Sequence, residues 1–219
     1  MKTRKILFAG PSGIGKTTEA NYVKDILDIE FISGSVSDLI PNTKNMTHQY
    51  MLGRDHRDLY YEDYSILNLR NKLFGRAKGS FVSDRSYLDL AAYFLYKQAK
   101  YLATCDVEQF VELCKKFTLK NCTHLIFLRL KPELIKIWST ENNNKRIVNN
   151  YFQSMISNIM DLVLELWNVN YIKKLYNPYM TKVIGDIFKI EDTKILCLNT
   201  TDLKTRNEII ERFVYDQEV

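Results

Sequence analysis

Residues 5–17 read Lys5-Ile6-Leu7-Phe8-Ala9-Gly10-Pro11-Ser12-Gly13-Ile14-Gly15-Lys16-Thr17, an apolar run followed without a break by the pattern GxxxxGK[ST]. The apolar run has the length and composition of a strand, and the segment from Lys16 to Leu27 has those of a helix, so the glycine-rich stretch joins the two. A triphosphate presents many anionic oxygens that backbone N–H groups must approach closely, and Gly10, Gly13 and Gly15 permit that approach. The expected cradle is Gly10, Pro11, Ser12, Gly13, Ile14, Gly15, Lys16, Thr17 and Thr18. Lys16 would reach the β- and γ-phosphates, Thr17 would hold Mg²⁺ through its hydroxyl, and the helix N-terminus would face the charge. The ligands expected of this stretch are therefore ATP and Mg²⁺.

Outward from this loop, apolar runs recur at Glu30 to Ser33, Ser80 to Ser83, His124 to Leu130 and Lys194 to Leu198. Helical patterns separate them at Leu59 to Ala77, Tyr87 to Tyr101, Val107 to Lys116, Pro132 to Thr140 and Arg146 to Trp167, and a last one runs from Leu203 to Tyr215. The alternation predicts an α/β chain with a five-stranded parallel sheet and helices on both faces, which together with the GxxxxGK[ST] loop after the first strand makes a three-layer P-loop NTPase fold. Residues 33–58 carry Gly34, Pro41, Asn42, Asn45 and Gly53 among polar side chains, and are too long for a mere connector, which suggests a binding or lid role. The stretch from Asn168 to Ile190 is assigned to no element.

The chain has 219 residues, 46% hydrophobic and 26% charged, with no repeat or composition shift to mark a boundary, so residues 1–219 read as one domain. A formal net charge of +5 suits a protein that collects polyanionic nucleotides, and suits a lysine-rich solvated surface equally well. It permits DNA as a partner without requiring it, and the composition is compatible with a homodimer. There is no run of about 18 apolar residues, and Met1 to Lys5 leads into a strand, so the expectation is a cytoplasmic protein with no membrane partner. Cys105, Cys114, Cys122 and Cys197 form no CxxC pair and read as reduced core thiols.

A second motif lies at the end of the Ser80 to Ser83 strand, where Asp84-Arg85-Ser86 places a carboxylate and a guanidinium at the ligand-binding edge of a parallel sheet. Asp84 would orient the Mg²⁺ shell or accept a proton from an attacking oxygen, and Arg85 would clamp a phosphate; the alternative is a strand-end salt bridge. The acceptor region is expected at residues 33–70, with Arg54, Arg57 and Arg70 as substrate clamps or as water-facing charges. Tyr60, Tyr61 and Tyr64 read either as base-stacking surfaces or as the core face of an amphipathic helix. His48 and His56 lack any partner at metal-ligand spacing and read as exposed loop residues, while His124 reads as structural.

With Gly10 to Thr18, Asp84 to Ser86 and the run Leu125-Ile126-Phe127-Leu128-Arg129-Leu130-Lys131-Pro132-Glu133 in this order, the chain resembles the P-loop nucleoside and nucleotide kinases, particularly the thymidylate kinase group. The resemblance implies a lid over the phosphates at residues 141–147, where Glu141 to Arg146 would bring Lys145 and Arg146 inward; two solvated charges at a helix start are the alternative. It implies a catalytic set of Lys16, Asp84, Arg85 and Arg146 and the transfer of the ATP γ-phosphoryl group to a (deoxy)nucleoside monophosphate. The chain departs from thymidylate kinases at Arg129, where they usually carry Asp, and its substrate-binding helix does not match theirs. Neighbouring readings are a deoxynucleoside kinase with Asp84 as base, and a kinase acting on hydroxymethylated pyrimidine bases in DNA. From another class, a P-loop ATPase or nucleotide-dependent switch is weakened by the lack of a strand ending in paired acids or an arginine-finger segment.

Overall fold

The computed structural model describes residues 3–40, 55–130, 150–168, 185–200 and 202–216. Strand β1 (Lys5–Ala9) is buried on both faces from Ile6 onward, as a continuous apolar run in the middle of a parallel sheet should be. It pairs in parallel with β3 (Phe81–Ser83) on one side and β4 (His124–Leu128) on the other. Adding β2 (Glu30–Phe31) beyond β3, and β6 (Thr193–Leu198) beyond β4, completes the five parallel strands expected.

The sheet has a sixth strand, which corrects the expected count of five. β5 (Gly185–Ile190) runs antiparallel to β6 at the edge, giving the order β2-β3-β1-β4-β6-β5. Its signal is faint because it is an edge strand: Phe188 and Ile190 turn inward while Lys189 between them is exposed, and the turn into β6 places Glu191 at φ 51°.

Seven helices are described: α1 (Lys16–Leu27), α2 (Val36–Leu39), α3 (His56–Arg76), α4 (Tyr87–Gln98), α5 (Thr104–Asn121), α6 (Asn150–Trp167) and α7 (Leu203–Val214). The short α2, capped by the Ser35 side chain, lies within the polar stretch at residues 33–58. The Pro132 to Thr140 helix, the lid candidate at 141–147 with Lys145 and Arg146, and Arg54 and His48 all fall outside the described residues.

Alternation along the strands sorts the core into two layers. Leu7, Ala9, Phe81, Leu125, Phe127, Ile195 and Cys197 face α3, α4, α5 and α6. Ile6, Phe8, Val82, Ile126, Leu128, Leu196 and Leu198 face α1 and α7, where Ala20, Val23, Ile210 and Phe213 meet them. Tyr60 and Tyr64 pack against the first layer, with Tyr64 edge-on to Phe110 at 4.9 Å, whereas Tyr61 is 69% exposed. His124 is buried and hydrogen-bonded, consistent with a structural role. Three cysteines are buried, but Cys105 is exposed in the first turn of α5, a correction to the reading of all four as core thiols. Among the described residues no helix is long and apolar enough to cross a membrane.

Candidate nucleotide site at the carboxyl edge of the sheet

β1 ends at Ala9, and the chain turns at once through Gly10, whose φ is +149°. A Cβ at this position would stand 2.7 Å from the Leu128 carbonyl oxygen, so the end of β4 leaves room for glycine alone. The Gly10 N–H donates to Asp89 Oδ1 at 3.1 Å. Lys16 opens α1 and turns back over the loop, its ammonium donating to the carbonyls of Gly10 (2.5 Å) and Pro11 (2.9 Å) and lying 3.9 Å from Asp89 Oδ1.

The other Asp89 oxygen accepts from the Ser86 N–H at 3.0 Å and the Ser86 hydroxyl at 2.8 Å, the capping box that starts α4. One buried carboxylate thus caps a helix, holds the first amide of the glycine-rich loop and neighbours the loop lysine. Its only sequence signal is the Ser86-x-x-Asp89 spacing, which by itself announces a helix start and nothing about phosphate.

The pairing of β1 with β3 puts Leu7 beside Ser83, which carries Asp84 to the mouth of the loop. The Thr17 hydroxyl donates to Asp84 Oδ2 at 2.6 Å. Asp84 is buried, and its Oδ1 has no hydrogen-bond partner among the described residues. A hydroxyl beside a carboxylate with an unmet oxygen suits a hard cation, and Mg²⁺ takes few protein oxygens and keeps the rest of its shell for water and phosphate. Thr17 and Asp84 fit as the residues that would hold it.

Arg85 is half-buried, with its Nε buried and without a hydrogen-bond partner among the described residues. Its Cβ lies 3.1 Å from where a Cβ on Gly34 would stand, so the loop after β2 presses directly on the Asp84-Arg85 segment. Arg70 is fully enclosed beneath these loops and donates to the carbonyls of Ser86 (2.6 Å) and Gly34 (2.8 Å). It is therefore a strut between the loops after β2 and β3. Burial pulls its pKa below the usual guanidinium value, and the nearby Asp89 opposes this. Arg57 is exposed in the first turn of α3.

Sequence motifs do not anticipate the part played by α6. Gln153, Ser157 and Asp161 stand at four-residue intervals on one face and accept, in order, from the Ser12 N–H (2.8 Å), the Leu130 N–H (3.0 Å) and Arg129 Nε (2.8 Å). Arg129 also donates to Asn199 Oδ1 at 3.2 Å. The residue that departs from the thymidylate kinase pattern is thus a buried link between the ends of β4 and β6 and helix α6.

No family model matches the chain, and no curated protein matches it. Solved structures do. Deoxyadenosine kinase from M. mycoides with bound dATP superposes with a TM-score of 0.60 at 14% identity, covering 98% of this chain and 100% of that one. The YorR protein from Bacillus subtilis in complex with phosphorylated GDP gives 0.53 at 13% identity, with 98% of each chain covered. Shikimate kinase from Acinetobacter baumannii in complex with shikimate gives 0.51 at 14% identity, covering 98% and 94%. At such identities the likeness concerns the fold: this chain has the α/β architecture of P-loop kinases, with a central, mainly parallel sheet between helical layers.

Proposed function

We propose that this chain is an ATP-dependent phosphotransferase that acts on a deoxynucleoside or its monophosphate. The observation that carries the reading is the 2.6 Å contact between Thr17 and Asp84, which joins the phosphate loop to a strand-end carboxylate having one oxygen unmet. In this reading the loop amides and Lys16 bind the β- and γ-phosphates, and Arg85 offsets the charge that builds up on the transferred group. Asp84 orients the acceptor hydroxyl and takes up its proton, or holds the metal shell. Thr17 and Asp84 would hold Mg²⁺, which would supply positive charge against that of the phosphates. Arg146 and the lid candidate belong to the same proposal as closing elements.

Between the two acceptors, the nucleoside has the better support. Arg70 is 2% exposed and directs both terminal nitrogens at backbone carbonyls, so of the three acceptor arginines Arg54 and Arg57 are left as phosphate clamps. A nucleoside needs no such clamp. The likeness to deoxyadenosine kinase leans the same way. A thymidylate acceptor and a hydroxymethylated base in DNA stay among the acceptors to be tried.

The test is purified protein with Mg-ATP against the common deoxynucleosides, their monophosphates and hydroxymethylated duplex DNA, scoring ADP release and phosphorylated product. The expected result is ADP release that depends on a deoxynucleoside. Release at the same rate without any acceptor would favour the ATPase or switch, and no release with any acceptor would overturn the phosphotransferase.

A further inference from the structure

On the α1–α7 side of the sheet, Arg206 in the first turn of α7 is only 5% exposed. Its Nε donates to the Thr200 carbonyl at 2.5 Å and one terminal nitrogen to the Ile14 carbonyl at 2.9 Å. That same nitrogen lies 3.2 Å from where a Cβ on Gly15 would stand, so the guanidinium is pressed against the phosphate loop. Thr200 follows β6 at the carboxyl edge, and Ile14 lies in the loop after β1. One side chain therefore fastens two loops of the same edge together.

The consequence follows from peptide geometry. The Ile14 carbonyl and the Gly15 N–H belong to one planar trans unit and point in opposite directions, so fixing the carbonyl fixes the direction of the N–H. Gly15 at φ 99° is conformationally free by itself, and an external hold on its peptide plane is what aims its N–H. Beside Arg206 sits Glu19, fully enclosed, with Oε1 3.6 Å from the guanidinium and neither oxygen hydrogen-bonded among the described residues. Burial pushes this carboxyl up to about 7 against the pull of Arg206. Glu19 supplies counter-charge, while the two carbonyls receive the directed bonds.

We propose that Arg206 is a positioning residue for nucleotide binding: by holding the Ile14 carbonyl it aims the Gly15 N–H at the triphosphate, and by holding the Thr200 carbonyl it makes the loop after β6 respond to the same ligand. The proposal rests on the reading of Gly10 to Thr17 as a phosphate loop. Lysine, with one point charge in place of a planar fork, reaches only one of the two carbonyls well.

The experiment is calorimetric titration of Mg-ADP into wild type, Arg206→Met, Arg206→Lys and the Arg206→Met/Glu19→Met double variant, with thermal melts of each and the acceptor KM. Arg206→Met is expected to weaken Mg-ADP binding about tenfold or more, the scale of losing a directed charge-assisted bond. Arg206→Lys should recover part of the loss, and the acceptor KM should stay within about twofold. The double variant removes the uncompensated buried carboxylate, so it should regain thermal stability while remaining weak for Mg-ADP. A folded Arg206→Met with wild-type affinity would overturn the proposal, as would a double variant that regains affinity, since the effect would then belong to Glu19. Wild-type protein that fails to bind Mg-ADP would instead strike the phosphate-loop reading on which the proposal rests.

Discussion

The Thr17 hydroxyl and the Asp84 carboxylate lie 2.6 Å apart, although 67 positions separate them in the chain. The contact is a product of sheet register: β1 and β3 are parallel neighbours, so the loop that leaves one strand opens beside the residue that ends the other. A hydroxyl that gives its hydrogen to Asp84 keeps its oxygen lone pairs available, and Asp84 keeps one oxygen unmet. Both are thereby poised toward the same point at the carboxyl edge.

Asp84→Asn preserves the shape of the pair and an acceptor for the Thr17 hydroxyl, but removes the negative charge. Turnover should fall by roughly 10²–10⁴-fold, the range of a positioned acid–base group, while ADP affinity measured without Mg²⁺ changes little. Steady-state kinetics with calorimetry check both parts. Unchanged turnover would return Asp84 to a strand-end structural role.

Lys16→Met keeps the aliphatic stem that lies along the loop and deletes the ammonium that bridges Gly10 and Pro11. Phosphoryl transfer should drop by about 10²-fold or more, with circular dichroism and the melting transition close to wild type. A variant that turns over normally would end the assignment of Gly10 to Thr17 as a triphosphate cradle.

What could be read beforehand was local. The GxxxxGK[ST] loop, the strand-end Asp84-Arg85-Ser86 and the parallel strands are written in consecutive residues, so spacing and periodicity reveal them. Gln153 reaches Ser12 across 141 positions and Arg206 reaches Ile14 across 192, and neither leaves a pattern near the loop it serves. Arg70 shows why sequence position misplaces some charges: it reads as a substrate clamp or a water-facing charge, but the loops after β2 and β3 close over it and make it a strut. β5 is hard to read because it opens on Gly185-Asp186 and sets Ile187 and Phe188 side by side, which breaks the alternation of a strand.

Arg70→Met tests that strut. The variant retains bulk but leaves the Ser86 and Gly34 carbonyls without their buried donors, at a cost of about 2–4 kcal/mol. Urea unfolding should show this loss, and the KM for the acceptor should rise more than that for ATP, because both tethered loops lie on the β2–β3 side of the phosphate loop. A variant as stable as wild type would show that the two loops hold their positions without the guanidinium.

Asp216 governs a pH effect at the opposite edge of the sheet. Its carboxylate accepts from Lys194, meets His124 Nε2 at 3.3 Å and lies 3.9 Å from Arg4. The Lys194 bond above all holds its pKa down to about 2 from an ordinary 3.8, with burial opposing and His124 assisting. Because the folded value is the lower one, the unfolded chain binds the extra proton between these two limits. The contribution is complete above about pH 4 and is lost as pH falls toward 2. With the side chain over a third exposed, screening limits it to about 1 kcal/mol or less. His124 shifts the other way in origin: burial holds its imidazole below the usual value, and Asp216 partly offsets this. Asp216→Asn should therefore cost up to about 1 kcal/mol at pH 7 and nothing below pH 2, which urea unfolding at pH 7, 3 and 2 measures. A destabilisation equal at all three pH values would mean that Asp216 acts through shape and hydrogen bonding, not through its charge.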